Sequence, residues 1–289
     1  MIIKTAHGDI KLPAFFPVTT FGDKYPLDKL VQPYLKRTNP CLMVSHYYAQ
    51  KMKKRPDMPI FIDSGGFAGL FEGSTFKDYG DHASIVTKDG DEIKPLDVLR
   101  FQEKNADLGA TLDFIIPPKT ELPEAQRRLD RTLTNAQFAI RHTTDTTFFL
   151  YASLQCWDPE SARHAAKEYV RMGFKGIAIG GMVPRIRDPE YVKSIVSTVR
   201  KAAPKCAIHV FGIGSSKLIP TLLECGADSF DSSGYVRAAV GAREKTEALA
   251  GLHTNLYSAI NNLSKINACF GHSFTMPSAQ MFTPHQAET

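Results

Sequence analysis

Three aspartates stand where a short apolar run meets a turn. Asp63 opens Asp63-Ser64-Gly65-Gly66-Phe67, Asp113 precedes Pro117-Pro118, and Asp231 lies in Phe230-Asp231-Ser232-Ser233-Gly234. Other apolar runs end at Gln155 and in Gly180-Gly181-Met182, and one reads His209-Val210-Phe211-Gly212-Ile213-Gly214. Carboxylates paired about a sugar carbon can perform retaining glycosyl transfer: one attacks the anomeric carbon while the other handles protons on the leaving and entering groups. Glycines beside them let backbone N–H groups approach a flat ligand closely. Gathering three carboxylates in one cavity costs stability unless a ligand, water or mutual hydrogen bonding compensates, so such an arrangement points to function.

For these residues to meet, the runs that carry them must be parallel strands ending at one face. Eight β-branched and aromatic runs qualify: Ala14 to Val18, Cys41 to Ser45, Pro59 to Asp63, Thr111 to Ile116, Thr147 to Ser153, Gly176 to Gly180, Ala207 to Gly212 and Ala227 to Asp231. Between them lie amphipathic stretches such as Leu96 to Asp107, Glu124 to Arg141, Pro159 to Met172, Pro189 to Ala203 and Ser216 to Cys225, several opened by Pro or Ser. The alternation predicts an α/β chain, a single (β/α)8 TIM barrel domain over residues 1–289, in which chemistry sits at the carboxyl ends of the strands. Glycine and Asp-Gly pairs between Phe71 and Ile93 predict a hairpin insertion after strand three, over the mouth. A C-terminal helix is expected over about Arg243 to Ile266, and Ser273 to Thr289 reads as a loose tail.

Composition narrows the class. With 43% hydrophobic and 22% charged residues the chain is an ordinary globular one, neither disordered nor collagenous nor coiled coil. No apolar run approaches the ~18 residues of a membrane span, and the start lacks a signal-peptide stretch, so a cytoplasmic location and no membrane association are expected. The five cysteines are scattered without a Cys-x-x-Cys pair, which predicts free thiols. A net charge of +5 is compatible with a polyanionic partner and proves nothing by itself.

Taken together, Asp63 to Phe67, the early Gly8-Asp9-Ile10-Lys11-Leu12-Pro13-Ala14-Phe15-Phe16-Pro17-Val18, the run Gly173-Phe174-Lys175-Gly176-Ile177-Ala178-Ile179-Gly180-Gly181-Met182 and the Phe230-Asp231 strand end resemble the tRNA-guanine transglycosylase superfamily over most of residues 4–237. The resemblance implies base exchange, in which guanine is cut from a nucleotide within a polynucleotide and a 7-deazaguanine such as preQ0 is joined to the same sugar. It implies a pentosyltransferase with Asp231 as nucleophile and Asp63 as acid/base, needing no cofactor. Asp113, Ser64, Gln155 and the Gly180-Gly181-Met182 turn resemble the groups that hold the Watson–Crick edge. Gly66 and Gly212 accompany them, Phe67 and Phe211 resemble the residues flanking the flat base, and Arg237 matches a backbone-contacting arginine. The chemistry agrees: Asp113 can accept from guanine N1 and N2, and Gln155 or a glycine N–H can donate to O6, whereas adenine leaves the carboxylates unsatisfied. The target nucleotide must be flipped out or presented in a loop, and stacking on Phe67 offsets part of that cost.

The family's tRNA enzymes carry three closely spaced cysteines and a histidine that hold zinc after the nucleophile strand. Here His253-Thr254-Asn255-Leu256 resembles the histidine-bearing helix start, but no cysteine lies between it and Asp231, and Cys269 and His272 add only two candidates, so no metal site is expected. The compact form is most similar to the branch that modifies DNA with 7-deazapurines (DpdA-like), and His209 resembles a histidine of that branch. DNA is therefore the favoured polynucleotide, with tRNA the alternative and partner proteins that open the duplex a further expectation. Arg185 and Arg187, just past strand six, are the better candidates for gripping a backbone; Lys51-x-Lys53-Lys54-Arg55 is a second, while Arg127-Arg128-x-x-Arg131 reads as solvated surface. Two rival readings stand: a non-catalytic binding subunit of the same family, and a phosphate- or flavin-binding barrel using Gly212-Ile213-Gly214-Ser215-Ser216 as a cradle.

Overall fold

Runs that are apolar on both faces can satisfy themselves only in a sheet covered on both sides, and helices fill that role here. The computed structural model describes residues 1–241 and 248–272. Its barrel strands, counted in chain order, are Ala14–Pro17, Leu42–Val44, Ile60–Ile62, Leu108–Ala110, Phe149–Leu154, Gly176–Ile179, Ala207–Val210 and Ser229–Ser232. They form one eight-stranded parallel sheet in which each strand pairs with its sequence neighbours and the eighth pairs with the first. A parallel bridge between Val18 and Met43 closes the ring between strands one and two, completing a (β/α)8 TIM barrel.

Two apolar layers hold it. Inside the ring, Phe16, Met43, Phe61, Tyr151, Ala178 and their neighbours fill the barrel. Outside, a larger layer that includes Leu154, Ile177, Ile179 and Val210 packs on helix residues such as Ala165, Tyr169, Val192, Ile195 and Val199. The antiparallel pair Ile2–Ile3 with Ile10–Lys11 adds Ile3 and Ile10 to the inner layer. Local signals set the helix ends. In Pro159–Met172 the Asp158 carboxylate accepts from Ser161 N (2.7 Å), the Ser161 hydroxyl accepts from Asp158 N (3.1 Å), and Gly173 ends the helix at φ +94°.

Strand four departs from expectation. The ladder runs over Leu108–Ala110, not Thr111 to Ile116, because side chains capture the later backbone groups. Phe114 N donates to Thr132 Oγ1 (3.0 Å), Asn135 Nδ2 donates to the Leu112 carbonyl (3.1 Å), and Ile116 N donates to Gln155 Oε1 (3.2 Å). The insertion is a three-stranded antiparallel sheet, Thr75–Asp78, Ala83–Val86 and Glu92–Ile93, where a hairpin was expected. It docks on helix Leu122–His142 through Asn135, which brackets Ala83 N and O, and through a two-pronged Arg131–Asp78 pair with both bonds at 2.7 Å. Arg128 and Arg131 also lie over the Phe76 ring, so this basic cluster is spent on docking the sheet.

The C-terminal helix spans Ala248–Ala268 and is preceded by a helix at Gly234–Gly241 that was not expected from the sequence. Residues 243–247 of the expected helix and the expected tail, 273–289, lie outside the described residues. The five cysteines are free thiols. No described helix is long and apolar enough to cross a membrane.

Candidate active site

Strand three delivers Asp63 to the mouth and then turns sharply. Gly65 adopts φ +76°, a conformation that strains any side-chain-bearing residue, and starts the short 3-10 turn Gly66–Leu70. The turn aims two amides at one carboxylate oxygen: Asp63 Oδ1 accepts from His46 N (2.7 Å) and Gly65 N (3.1 Å). Burial pushes the Asp63 carboxyl up to about 7 against the pull of these two bonds, and the neighbouring Asp113 and Asp231 charges add to the rise. Asp113, on the segment after strand four, and Asp231, on strand eight, thus lie near enough to Asp63 for their charges to act on it.

Asp113 lies deeper, almost fully buried. Its Oδ1 accepts from the Ser64 hydroxyl (2.5 Å) and its Oδ2 from Gln155 Nε2 (2.6 Å), yet burial outweighs both bonds and raises its pKa. Gln155 is buried too, and its Oε1 takes Ile116 N, so both ends of the amide are engaged in holding Asp113 and the strand-four extension. Gln155 therefore stands behind Asp113, because the irregular segment 111–116 needs its carbonyl as an acceptor. Two glycines make this packing possible. A Cβ on Gly66 would lie 2.2 Å from Asp113 Oδ1, and one on Gly180 would lie 2.2 Å from Gln155 Nε2. Gly181 turns at φ +72°, while the Met182 side chain is fully buried in the outer apolar layer, leaving only its backbone to face a ligand.

Asp231 ends strand eight with its Oδ1 held by Gly212 N (2.9 Å) and His209 Nε2 (3.1 Å). Gly212 sits at φ +76°, and a Cβ there would come within 2.3 Å of Val183 Cγ2. His209 is fully buried inside the barrel, its other ring nitrogen meeting Ser229 Oγ at 2.9 Å. His209, a candidate substrate-binding residue from its motif, thus has both ring nitrogens engaged within the protein, one of them on Asp231. Phe211 is partly exposed and packs against Phe61 and His209.

At the rim, Phe67 is 61% exposed and meets Phe71 edge to face at 5.6 Å, giving an aromatic shelf beside Asp63. Arg187 and Arg237 are exposed. Arg185 is not a free cation: its Nη1 donates to the Gly181 carbonyl (2.6 Å) and both Nη atoms donate to the Ile116 carbonyl (3.3 Å), so it braces the ends of strands four and six. Lys51 pairs with Asp23 (3.0 Å) and lies over the Tyr47 ring.

The sequence reading missed three supporting residues. Gln102, buried in helix Pro95–Asn105, donates to the carbonyls of Ile62 (3.3 Å), Asp63 (2.9 Å) and Ala110 (2.9 Å), pinning two strand ends. An amide on the apolar face of an amphipathic helix was the available signal. His46 N and Ser229 Oγ left none, since one acts through its backbone and the other is an ordinary small strand residue. No group of three or more His, Cys, Asp or Glu that could hold a metal occurs among the described residues. The His253 side chain lies outside the described residues.

Comparison with known proteins gives a consistent result. The chain is 27% identical over 249 residues to the tRNA-guanine(15) transglycosylase of Methanothermobacter thermautotrophicus, covering 81% of this chain and 35% of that protein. It is 26% identical over 249 residues to the enzyme of the same name from Archaeoglobus fulgidus, covering 81% and 48%. A Queuine tRNA-ribosyltransferase of Dehalococcoides mccartyi is 25% identical over 254 residues, covering 78% and 62%. The chain thus spans from about a third to under two thirds of the length of these relatives. The family model described as Queuine tRNA-ribosyltransferase matches residues 2–248, a span that holds all eight barrel strands and all three acids, and the chain belongs to that family.

Proposed function

We propose that this chain is a guanine-exchanging transglycosylase that acts on a polynucleotide through a covalent glycosyl-aspartate intermediate. The carrying observation is the contrast between two acids at one mouth: the Asp63 carboxyl is pushed up to about 7, while Asp231 is oriented by two N–H donors on a single oxygen. Two carboxyls in different environments divide the acid and nucleophile roles.

In this reading the Asp231 carboxylate attacks C1′ of the target nucleoside as the C1′–N9 bond breaks. The departing guanine takes the proton of Asp63 at N9, and an ester joins Asp231 to the sugar. The incoming 7-deazaguanine gives its N9 proton to the Asp63 carboxylate and attacks C1′, and the ester bond breaks to restore Asp231. Protons and electrons balance between the two carboxyls. Asp113, held by Ser64 and Gln155, accepts from N1 and N2 of the base, and the Gly181 N–H donates to O6, the Gly180 N–H being bound to the Leu154 carbonyl. Phe67 and Phe211 stack on its faces, while Arg187 and Arg237 bind phosphates.

DNA is the favoured polynucleotide, supported by the absence of cysteine between Asp231 and the C-terminal helix, where the tRNA enzymes of the resemblance hold zinc. The names of the relatives, all tRNA enzymes, favour tRNA as the second reading. One experiment tests both: labelled guanine or 7-deazaguanine base is incubated with the protein and either DNA or tRNA. Label is expected to enter DNA; label entering only tRNA replaces the substrate, and label entering neither overturns the exchange. Asp231→Asn is expected to abolish incorporation with an unchanged circular dichroism spectrum, and incorporation at the wild-type rate removes Asp231 from the mechanism.

A further inference from the structure

We infer that His209, buried beneath the mouth, is a positioning residue that holds Asp231 with one oxygen bound and the other bare. The inference rests on the base-exchange reading for its chemistry and on the geometry for its placement.

An imidazole in an apolar barrel interior is costly unless both ring nitrogens are satisfied. Here the ring is fully buried, stacked on Phe16 at 5.5 Å between centroids and 12° between planes, and hemmed in by Phe61, Tyr151 and Phe211 at 5.2, 6.1 and 4.9 Å. A phenylalanine would fill the same space without that cost. What a phenylalanine lacks is the pair of bonds that thread the ring. A carboxylate oxygen only accepts, so the 3.1 Å contact is His209 Nε2–H donating to Asp231 Oδ1. With Nε2 protonated, Nδ1 of the neutral ring is an acceptor, and the Ser229 hydroxyl donates to it at 2.9 Å. Asp231 therefore selects the tautomer, Ser229 satisfies the remaining ring nitrogen, and the aromatic cage fixes the ring plane.

Gly212 N donates to the same Oδ1 at 2.9 Å. Both donors on Oδ1 leave Oδ2 as the attacking oxygen, since no described residue donates to it. The pair has a second use. When the glycosyl ester breaks, electron density returns to the Asp231 carboxylate, and the two N–H groups already point at one of its oxygens, as preorganised donors do at a developing anion.

His209→Phe keeps the packing and removes the donor, and His209→Gln returns an N–H donor on a different frame. We expect His209→Phe to melt no lower than the wild type while kcat for base exchange falls by about 10²-fold with KM for the base little changed. The covalent protein–polynucleotide adduct trapped on a denaturing gel should persist longer in the variant. His209→Gln should recover part of kcat. Wild-type kcat in His209→Phe, or no recovery in His209→Gln, assigns the ring to packing and overturns the inference. Nitrogen NMR of ring-labelled histidine supplies a readout that needs no activity: the Nε2–H tautomer is expected in the wild type, with an Nε2 shift that moves in Asp231→Asn. An Nδ1–H tautomer, or no response to Asp231→Asn, overturns the inference even where exchange is confirmed. Absent exchange with the expected NMR result overturns only the proposed reaction.

Discussion

The Asp63 carboxyl couples the stability of the protein to its chemistry. Its folded-state value is raised from the ordinary 3.8 to about 7, so the folded protein keeps a proton that the unfolded chain releases. Stability must then fall as pH rises through that interval, with the full cost present above it. Asp63→Asn preserves the Oδ1 acceptor for His46 N and Gly65 N and removes the ionisation. It is expected to be more stable than the wild type by on the order of 2 kcal/mol at pH 8 and no more stable at pH 4, with exchange lost at both. Thermal melts at the two pH values check this, and an equal effect at both removes burial of charge as the cause. The acid was legible from its place in Asp63-Ser64-Gly65-Gly66-Phe67. Its altered titration was not, because that depends first on burial in the closed barrel and then on Asp113 and Asp231, 50 and 168 positions away in the chain.

At the scale of elements, the departures from expectation cluster at strand four. Residues 111–116 carry the apolar pattern of a strand, but the Leu112 carbonyl, Phe114 N and Ile116 N pair with Asn135, Thr132 and Gln155, and this irregular path carries Asp113 into the mouth. Asn135 joins that path to the three-stranded insertion, bonding Ala83 N (2.8 Å), Ala83 O (3.0 Å) and Leu112 O (3.1 Å). Asn135→Ala would leave these buried groups unpaired. A loss of about 2–3 kcal/mol in chemical denaturation is expected, with a raised KM for the base because Leu112 adjoins Asp113. A raised KM without destabilisation would argue against this linkage. Periodicity identifies a strand from its own residues; it cannot show that distant side chains have outbid the neighbouring strand for its backbone groups. The helices were more readable, and Pro159–Met172 was recovered to the residue, because Asp158, Ser161 and Gly173 act within one turn of the ends they set.

Across the whole molecule, a charge of +5 is too small to bind a polyanion by itself, so the placement of free cations matters more than their number. Arg187 and Arg237 are exposed, whereas Arg185, Arg128 and Arg131 are spent on carbonyls, carboxylates and rings inside the fold. Arg187→Ala combined with Arg237→Ala is expected to weaken polynucleotide binding and reduce the slope of log affinity against log salt by roughly 1–2. Fluorescence anisotropy over a salt series measures it, and an unchanged slope excludes both as phosphate contacts.

The sequence alone determined the strand and helix alternation, the barrel it implies and the residues at the strand ends, because each follows from side-chain type within a few positions. Tertiary structure decided which of those residues are available. His209, Gln155, Met182 and Arg185 all sit in motifs at the mouth, yet closing the ring put His209 and Met182 in apolar layers and tied Gln155 and Arg185 to neighbouring backbone. Burial and hydrogen-bond partnership are properties of pairs distant in the chain, and they exist only once the barrel has closed.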